Sequence, residues 1–276
     1  MNTTQKPPKI PLGIQIKNHI LDGLAPLFLI FCMAFFAYII YEQATTNYTW
    51  QWARVWRYLG VFTEQGFKAG VLLKGLKLTL LIAFYSLILS FIIGISLAFM
   101  QLSCSPVLGL FSRTIIRIIR NTPLLIQLFL CYFVISPVLH LTPFITAILC
   151  LALFEGVYVA EIIRSGIITI PHTQWEASFS LGMNTRRTLQ YVIMPQVLRN
   201  ILPSLAGQFI SLIKDTSLVS TIAVADLTLE ARNVISETYL SFEIWILVAI
   251  IYFTLTLFIN IPVFFLTHKL KHKNRS

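Results

Sequence analysis

Six long apolar stretches dominate this sequence, and they constrain its fold more than any other feature. A helix rising about 1.5 Å per residue needs about 20 mostly apolar residues to cross a hydrocarbon core roughly 30 Å thick. The stretches run from about Ala25 to Tyr41, Leu76 to Gln101, Asn121 to Leu139, Thr142 to Ile163, Leu202 to Ala225 and Ile244 to Thr267. A break containing Pro137, His140 and Pro143 separates the third from the fourth. Composition agrees, since 57% of the residues are hydrophobic and only 12% charged, outside the usual range of a soluble domain. The expected fold class is an all-α membrane protein, a polytopic helical bundle with about six transmembrane helices.

An even number of spans puts both termini on one side, and the basic residues indicate which, because cytoplasmic connections carry the excess of Lys and Arg. With both termini inside, fourteen of the 21 fall inside: Lys6, Lys9, Lys17, Arg113, Arg117, Arg120, Arg164, Arg186, Arg187, Arg199, Lys269, Lys271, Lys273 and Arg275. Only Arg54, Arg57, Lys68, Lys74 and Arg232 fall outside, and Lys77 and Lys214 sit within or at the edge of spans. Both termini are therefore expected to be cytoplasmic. The net charge of +10 does not signal nucleic acid, because no basic residue lies in an aromatic-interleaved patch. The first stretch is longer than the apolar core of an ordinary signal peptide. Tyr41-Glu42-Gln43-Ala44-Thr45 offers no small-residue cleavage site either, so a retained anchor is expected. Trp50, Trp52 and Trp56 are expected at the outer headgroup level.

Several chemistries are excluded. No G-x-x-x-x-G-K-[ST] loop is present to cradle a nucleotide, and neither H-E-x-x-H nor G-x-S-x-G occurs. His19, His140, His172, His268 and His272 are scattered, and Cys32, Cys131, Cys150 and Cys104 have neither a metal spacing nor a disulfide framework. No catalytic residue, metal or bound cofactor is expected, and any use of ATP has to come through a partner.

The connection from Arg164 to Ile201 is too polar to span and too patterned to be a loose loop. Pro171 precedes Thr173-Gln174-Trp175-Glu176, which reads as a T-x-x-E capping box opening a short helix. That helix would carry Trp175 and Phe179 on one face and end at Gly182 in the left-handed conformation. Asn184 is placed to cap a second short helix from Thr185 to about Ile193, with Arg186 and Arg187 near its start and Pro195 ending it.

These residues carry a resemblance. Glu176-Ala177-Ser178, then Gly182, then Val192-Ile193-Met194-Pro195 closely resembles the E-A-A, three residues, G, nine residues, I-x-L-P loop of ABC importer permeases. The departures are Ser178 for Ala, Val192 for Ile and Met194 for Leu, all mild in size. Arg120-Asn121-Thr122-Pro123-Leu124-Leu125-Ile126-Gln127, Tyr158 to Ile167 and Lys214-Asp215-Thr216-Ser217-Leu218-Val219-Ser220 are similar to signatures of the polar amino acid (histidine, glutamine, arginine type) permeases. The resemblance runs from about Gly70 to the C-terminus.

The resemblance implies a transport subunit of the bacterial inner membrane, not an enzyme. It implies that Glu176, Ala177, Ser178, Gly182, Arg186, Arg187, Val192 and Pro195 form a coupling helix docking on a cytoplasmic ABC ATPase dimer, which binds ATP-Mg. It further implies a second permease, identical or related, an extracytoplasmic substrate-binding protein and a polar amino acid as cargo. The implied division is an N-terminal tail, extra span and Trp-rich outer segment over 1–66, a five-helix importer domain over 67–268 with its coupling loop at 171–195, and a basic tail over 269–276.

Charged groups in a span cost a few kcal/mol each, so Glu161, Lys214 and Asp215 need a reason to be there. Glu161 either lies on the substrate path or pairs with Arg164 at i, i+3. Gln127 and Tyr158 either line that path or bond a neighbouring helix. Lys214 and Asp215 either lie on the substrate path or serve structure or coupling close to the membrane surface, and with Thr216 and Ser217 they read as coupling or gating residues. Thr122 and Pro123 also read as coupling or gating residues, or, with Asn121, as the cap and helix-start proline that open the third span. A secondary transporter or channel without an ATPase, or a membrane scaffold or receptor, remains the rival, and neither accounts for the bent inner loop.

Overall fold

Apolar length decides the architecture. The structure, a computed structural model, describes residues 26–36, 38–39, 41–42, 48–64 and 66–273, with side chains described as far as 263 and at 265. The chain divides into two compact units, Met1–Gln51 and Trp52–Ser276. In the first, α1 (Pro26–Phe36) is a short apolar helix whose Phe31 and Phe35 rings stack at 6.3 Å. The Lys6, Lys9, Lys17 and His19 side chains lie outside the described residues, as do the side chains of the C-terminal tail.

The second unit opens with α2 (Trp52–Leu59), whose Val55 is buried, and a two-stranded antiparallel hairpin of β1 (Gly60–Thr63) and β2 (Gly66–Ala69). It continues with α3 (Val71–Leu102), α4 (Pro106–Arg120), α5 (Leu124–Leu130), α6 (Ser136–Leu139), α7 (Pro143–Ile168), α8 (His172–Ser180), α9 (Thr185–Arg187), α10 (Met194–Asp215), α11 (Leu227–Thr238) and α12 (Ser241–Lys273). Three described helices are long and apolar enough to cross a membrane, namely α3, α7 and α12 over Ser241–Val263. A fourth arises if α4 and Leu124–Leu139, bent by 105°, count as one span. The stretch expected as a fifth span is helical but broken. α10 stops at Asp215, a 3-10 segment covers Thr216–Ile222, and Ala223 turns left-handed at φ 58°.

The inner connection before the third stretch is more ordered than its sequence suggests. Pro106 fits the first turn of α4, where its missing N–H costs nothing, and the Ser105 hydroxyl accepts from the Leu108 amide at 3.5 Å. Asn121 and Thr122 were expected to open the next helix. They close α4 instead: Asn121 Nδ2 donates to the Arg117 carbonyl at 2.8 Å and the Thr122 hydroxyl to that of Ile118 at 3.0 Å. The last turn of α4 leaves carbonyls without helical partners, and these side chains satisfy them. Pro123 sits before α5 as its N-cap and not within its first turn.

Both π segments among the described residues, Cys131–Ile135 and Thr188–Ile193, sit immediately before an X-Pro pair, Ser136-Pro137 and Met194-Pro195. A proline ring collides with the carbonyl four residues back. Passing into i→i+5 bonding, as in Met194 N–H to the Leu189 carbonyl, lets the helix run through. Pro195 therefore does not end the second helix of the inner loop, which continues as α10.

α3 and α7 form the centre of this unit. Between helices already in lipid, close van der Waals packing replaces the hydrophobic effect, and small residues allow it. α3 buries Ser86, Ser90, Gly94 and Ala98 at every fourth position, and α7 buries Ala152, Gly156 and Ala160 likewise. A Cβ on Gly94 would come within 2.5 Å of Val159 Cγ1, and one on Gly156 within 2.8 Å of Ile93 Cγ2. Gly156→Leu is expected to lower the melting temperature of the detergent-purified protein, overpacking costing about 1–3 kcal/mol. Gly207→Ala, at a position with nothing within 4 Å, is expected not to lower it.

Candidate functional site

α8 does not start at a capping box. Its N-cap is Pro171, without a side-chain hydrogen bond, and Thr173 lies inside the helix. The proline, held at φ −57° and ψ 141°, sets the entry two residues before Thr173, so the threonine and Glu176 have no cap to close. The C-terminal end follows expectation. Gly182 is left-handed at φ 77°, its N–H donates to the Phe179 carbonyl at 2.9 Å, and the Met183 N–H to that of Ser178 at 3.2 Å. That pair of bonds is the Schellman closure. Asn184 then caps α9, its side chain accepting from the Arg187 amide at 2.9 Å.

This bend leaves Glu176, Ala177, Gly182, Arg186, Arg187 and Pro195 exposed, while Ser178 is buried and Val192 half-buried. Trp175 and Phe179 lie together, ring centroids 6.4 Å apart. Trp175 and Val192 pack against buried Ile170, Ile193, Val197 and Ile201. One face of the bend is thus open, and the other is fused to α10 and the end of α7.

Those two helices line a cleft of about 480 Å³, bounded by Tyr158, Glu161 and Arg164 of α7, Asn200, Ser204 and Gln208 of α10, and Arg120. Glu161 is its electrostatic centre. It pairs with Arg164 at 3.3 Å and Arg120 at 3.5 Å and accepts from Gln101 Nε2 at 3.2 Å. The Arg120 guanidinium also lies 5.8 Å from the Tyr158 ring centroid. The carboxylate thus makes the expected pair with Arg164 and also lines the cleft.

The other residues singled out from the sequence are dispersed. Gln127 does not line the cleft; its amide donates to the carbonyls of Ile119 and Thr122 at 2.8 and 3.0 Å and holds the 105° bend. Lys214 is exposed and Asp215 half-buried at the end of α10. The buried Thr216 hydroxyl donates to the Ile213 carbonyl at 2.6 Å, and the Ser217 carbonyl accepts from Ser220 at 2.8 Å.

The sequence reading passed over Glu155 and Gln208. Glu155 is 1% exposed in the middle of α7, and Gln208 Nε2 donates to its Oε2 at 2.5 Å. No hydrogen bond within 3.5 Å reaches its Oε1 among the described residues, although the Asp215 carboxyl at the end of α10 interacts with the same group. Gln208 thus joins a buried carboxyl group to the wall of the cleft. An acidic residue amid Phe154 and Gly156 was the available signal; its partner 53 positions away was not visible. Among the described residues no group of three or more His, Cys, Asp or Glu side chains is placed to hold a metal ion.

A membrane bundle with a charged cleft at one end, fused to a rigid exposed bend, is built as a transport subunit. Residues 90–272 match the family described as the inner membrane component of binding-protein-dependent transport systems, and the chain belongs to that family. It is 39% identical over 186 residues to a probable amino-acid ABC transporter permease protein, PatM, of Vibrio harveyi, covering 66% of this chain and 83% of the relative. It is 34% identical over 193 residues to the glutamine transport system permease protein GlnP of Escherichia coli strain K12, covering 69% and 88%. The fold is similar to the crystal structure of an amino acid ABC transporter with histidines. The TM-score is 0.72 at 33% identity, over 80% of this chain and all of that one. It also resembles the inward-facing MetNI methionine ABC transporter, with a TM-score of 0.60 at 18% identity over 72% of this chain and 96% of that one, a likeness of fold alone.

Gln208→Leu leaves the buried Glu155 carboxyl without its donor and is expected to cost about 1–3 kcal/mol in detergent unfolding. Glu155→Leu in the same background is expected to recover part of that loss, since it removes the unpaired carboxyl but also the group with which Asp215 interacts.

Proposed function

We propose that this chain is the permease subunit of an ATP-binding-cassette importer for a polar amino acid, working by alternating access with a separate ATPase that binds ATP-Mg. The observation that carries the reading is the apolar cluster of Ile170, Ile193, Val197 and Ile201, which joins the bend to both helices of the cleft. A displacement of the bend moves α10 and the end of α7 with it, because a close-packed contact shifts as a unit.

Glu176, Ala177, Ser178, Gly182, Arg186, Arg187, Val192 and Pro195 form the docking element for the ATPase dimer. Tyr158 and Glu161 receive the zwitterionic or polar end of the cargo in the cleft, with Gln208 beside them, while Gln127 supports the 105° bend between α4 and α5. Thr122, Pro123, Arg164, Lys214, Asp215, Thr216 and Ser217 act in coupling or gating. The permease has about six spans with both termini cytoplasmic, over the divisions 1–66, 67–268 and 269–276. It pairs with a second permease beneath an extracytoplasmic substrate-binding protein. ATP biases the two arrangements of the bundle through its different contacts with each. The relatives named as amino-acid and glutamine permeases support the cargo class.

Purification from native membranes in mild detergent, with mass spectrometry of the accompanying chains, tests this reading. A stoichiometric ATPase is expected to accompany the wild type. Gly182→Val is expected to lose it while remaining folded, because a β-branched residue at φ 77° is strained by roughly 1–2 kcal/mol and the bend re-forms differently. An intact protein without ATPase, under conditions preserving such complexes, would favour a secondary transporter.

In proteoliposomes holding the full complex, Glu161→Gln is expected to slow uptake at least several-fold and alter selectivity. Unchanged rate and selectivity would remove Glu161 from the substrate path.

A further inference from the structure

A second pocket, of about 350 Å³, lies beside the cleft, between the last turn of α3, α4 and the end of α7. Arg113, Arg117, Arg120 and Arg164 line it, against the single carboxylate of Glu161. Glu161 is shared between Arg120 and Arg164, whereas Arg113 and Arg117 have no carboxylate within 4.0 Å among the described residues. Four guanidiniums and one carboxylate leave an excess of three positive charges around one concavity. Positive charge in a cytoplasmic connection is ordinary; convergence on a pocket is not required by topology.

α4 shows what kind of anion fits. Its side chains fall on three faces. Gly109, Ser112, Ile116 and Ile119 are buried against the bundle, and Val107, Leu110, Phe111 and Ile118 are between 56% and 73% exposed. At 100° per residue, Arg113, Arg117 and Arg120 occupy the strip between those two faces. The Arg113 guanidinium folds back over Gly109, where a Cβ would come within 3.3 Å of its terminal nitrogen. An exposed apolar face bordered by a guanidinium strip offers acyl chains one surface and a phosphate the other.

We propose that this pocket binds the phosphodiester headgroup of an anionic phospholipid. A zwitterionic headgroup bearing an ammonium brings its own positive charge to a site already in positive excess and is disfavoured. Free phosphate has no use for the apolar face. The site is independent of which solute the cleft carries, and it touches the cleft through Arg120, Glu161 and Arg164, which border both. A bound phosphate draws on the same guanidiniums that hold Glu161.

The test uses the full chain purified in detergent, with phosphatidylglycerol and phosphatidylcholine of identical acyl chains titrated in native mass spectrometry and thermal unfolding. Phosphatidylglycerol is expected to bind saturably and raise the melting temperature, and phosphatidylcholine to do neither. Arg113→Gln with Arg117→Gln is expected to weaken phosphatidylglycerol binding about 30-fold, two arginines each contributing about five- to sixfold. Equal effects of the two lipids on the wild type overturn the proposal whether or not the variant folds, as does a folded variant that binds phosphatidylglycerol like the wild type. The same stabilisation by millimolar inorganic phosphate assigns the pocket to a free anion and overturns the lipid. No lipid effect, together with loss of the copurifying ATPase in the double variant, assigns the arginines to a protein partner and likewise overturns it.

Discussion

The close approach of α3 and α7 is the contact on which the rest of the structure depends. Gly94 and Gly156 remove the two side chains that would hold these helices apart, and serines and alanines fill the remainder of the seam. Because lipid is as apolar as leucine, nothing but packing and hydrogen bonds holds such helices together, so a tight seam has to come from small residues. With α7 set against α3, Gln101 reaches Glu161 across 60 positions of sequence, and Tyr158, Glu161 and Arg164 are turned toward α4 and α10. The buried Ser86 hydroxyl, 3.4 Å from the Ile148 carbonyl, ties the same pair of helices farther along.

From that seam the functional geometry extends in two directions. Toward α10, the cluster around Ile193 and Val197 joins the bend at Gly182 to the wall of the cleft. Toward α4, a strip of arginines borders the same carboxylate that centres the cleft. Glu161 therefore stands where three things meet: the proposed cargo path, the guanidiniums of α4 and the end of the helix leading into α8. A carboxylate shared among Arg120, Arg164 and Gln101 has no single partner to lose, which suits a group whose contacts change as the bundle moves. The prolines contribute in a related way. Pro137 and Pro195 follow π segments that carry the helices past them, and such segments concentrate at functional positions.

Much of this was legible in order along the chain, because membrane solvation writes itself into local composition. The apolar stretches predicted α3, α7 and α12, and Gly182 and Asn184 predicted the bend, since a left-handed glycine and an N-cap act within a few residues. The same locality misled at Thr173, where Pro171 settles the start of α8, and at Asn121 and Thr122, which serve the helix behind them rather than the one ahead. α4 read as a loop because its arginines outweighed its buried spacing at Gly109, Ser112, Ile116 and Ile119.

By itself, then, the sequence determined that this chain lives in lipid, where its long helices lie, and that a capped, glycine-bent hairpin interrupts them. Each of those follows from side-chain hydration or from hydrogen bonds between near neighbours. The tertiary structure alone decided that Glu155 meets Gln208, that Gln127 supports a bend rather than the cleft, and that Arg113 and Arg117 converge with Arg120 and Arg164 on one pocket. Those pairings join residues from different helices. Which faces meet is settled by how closely two backbones can approach, and that depends on glycines and serines whose partners the linear order does not reveal.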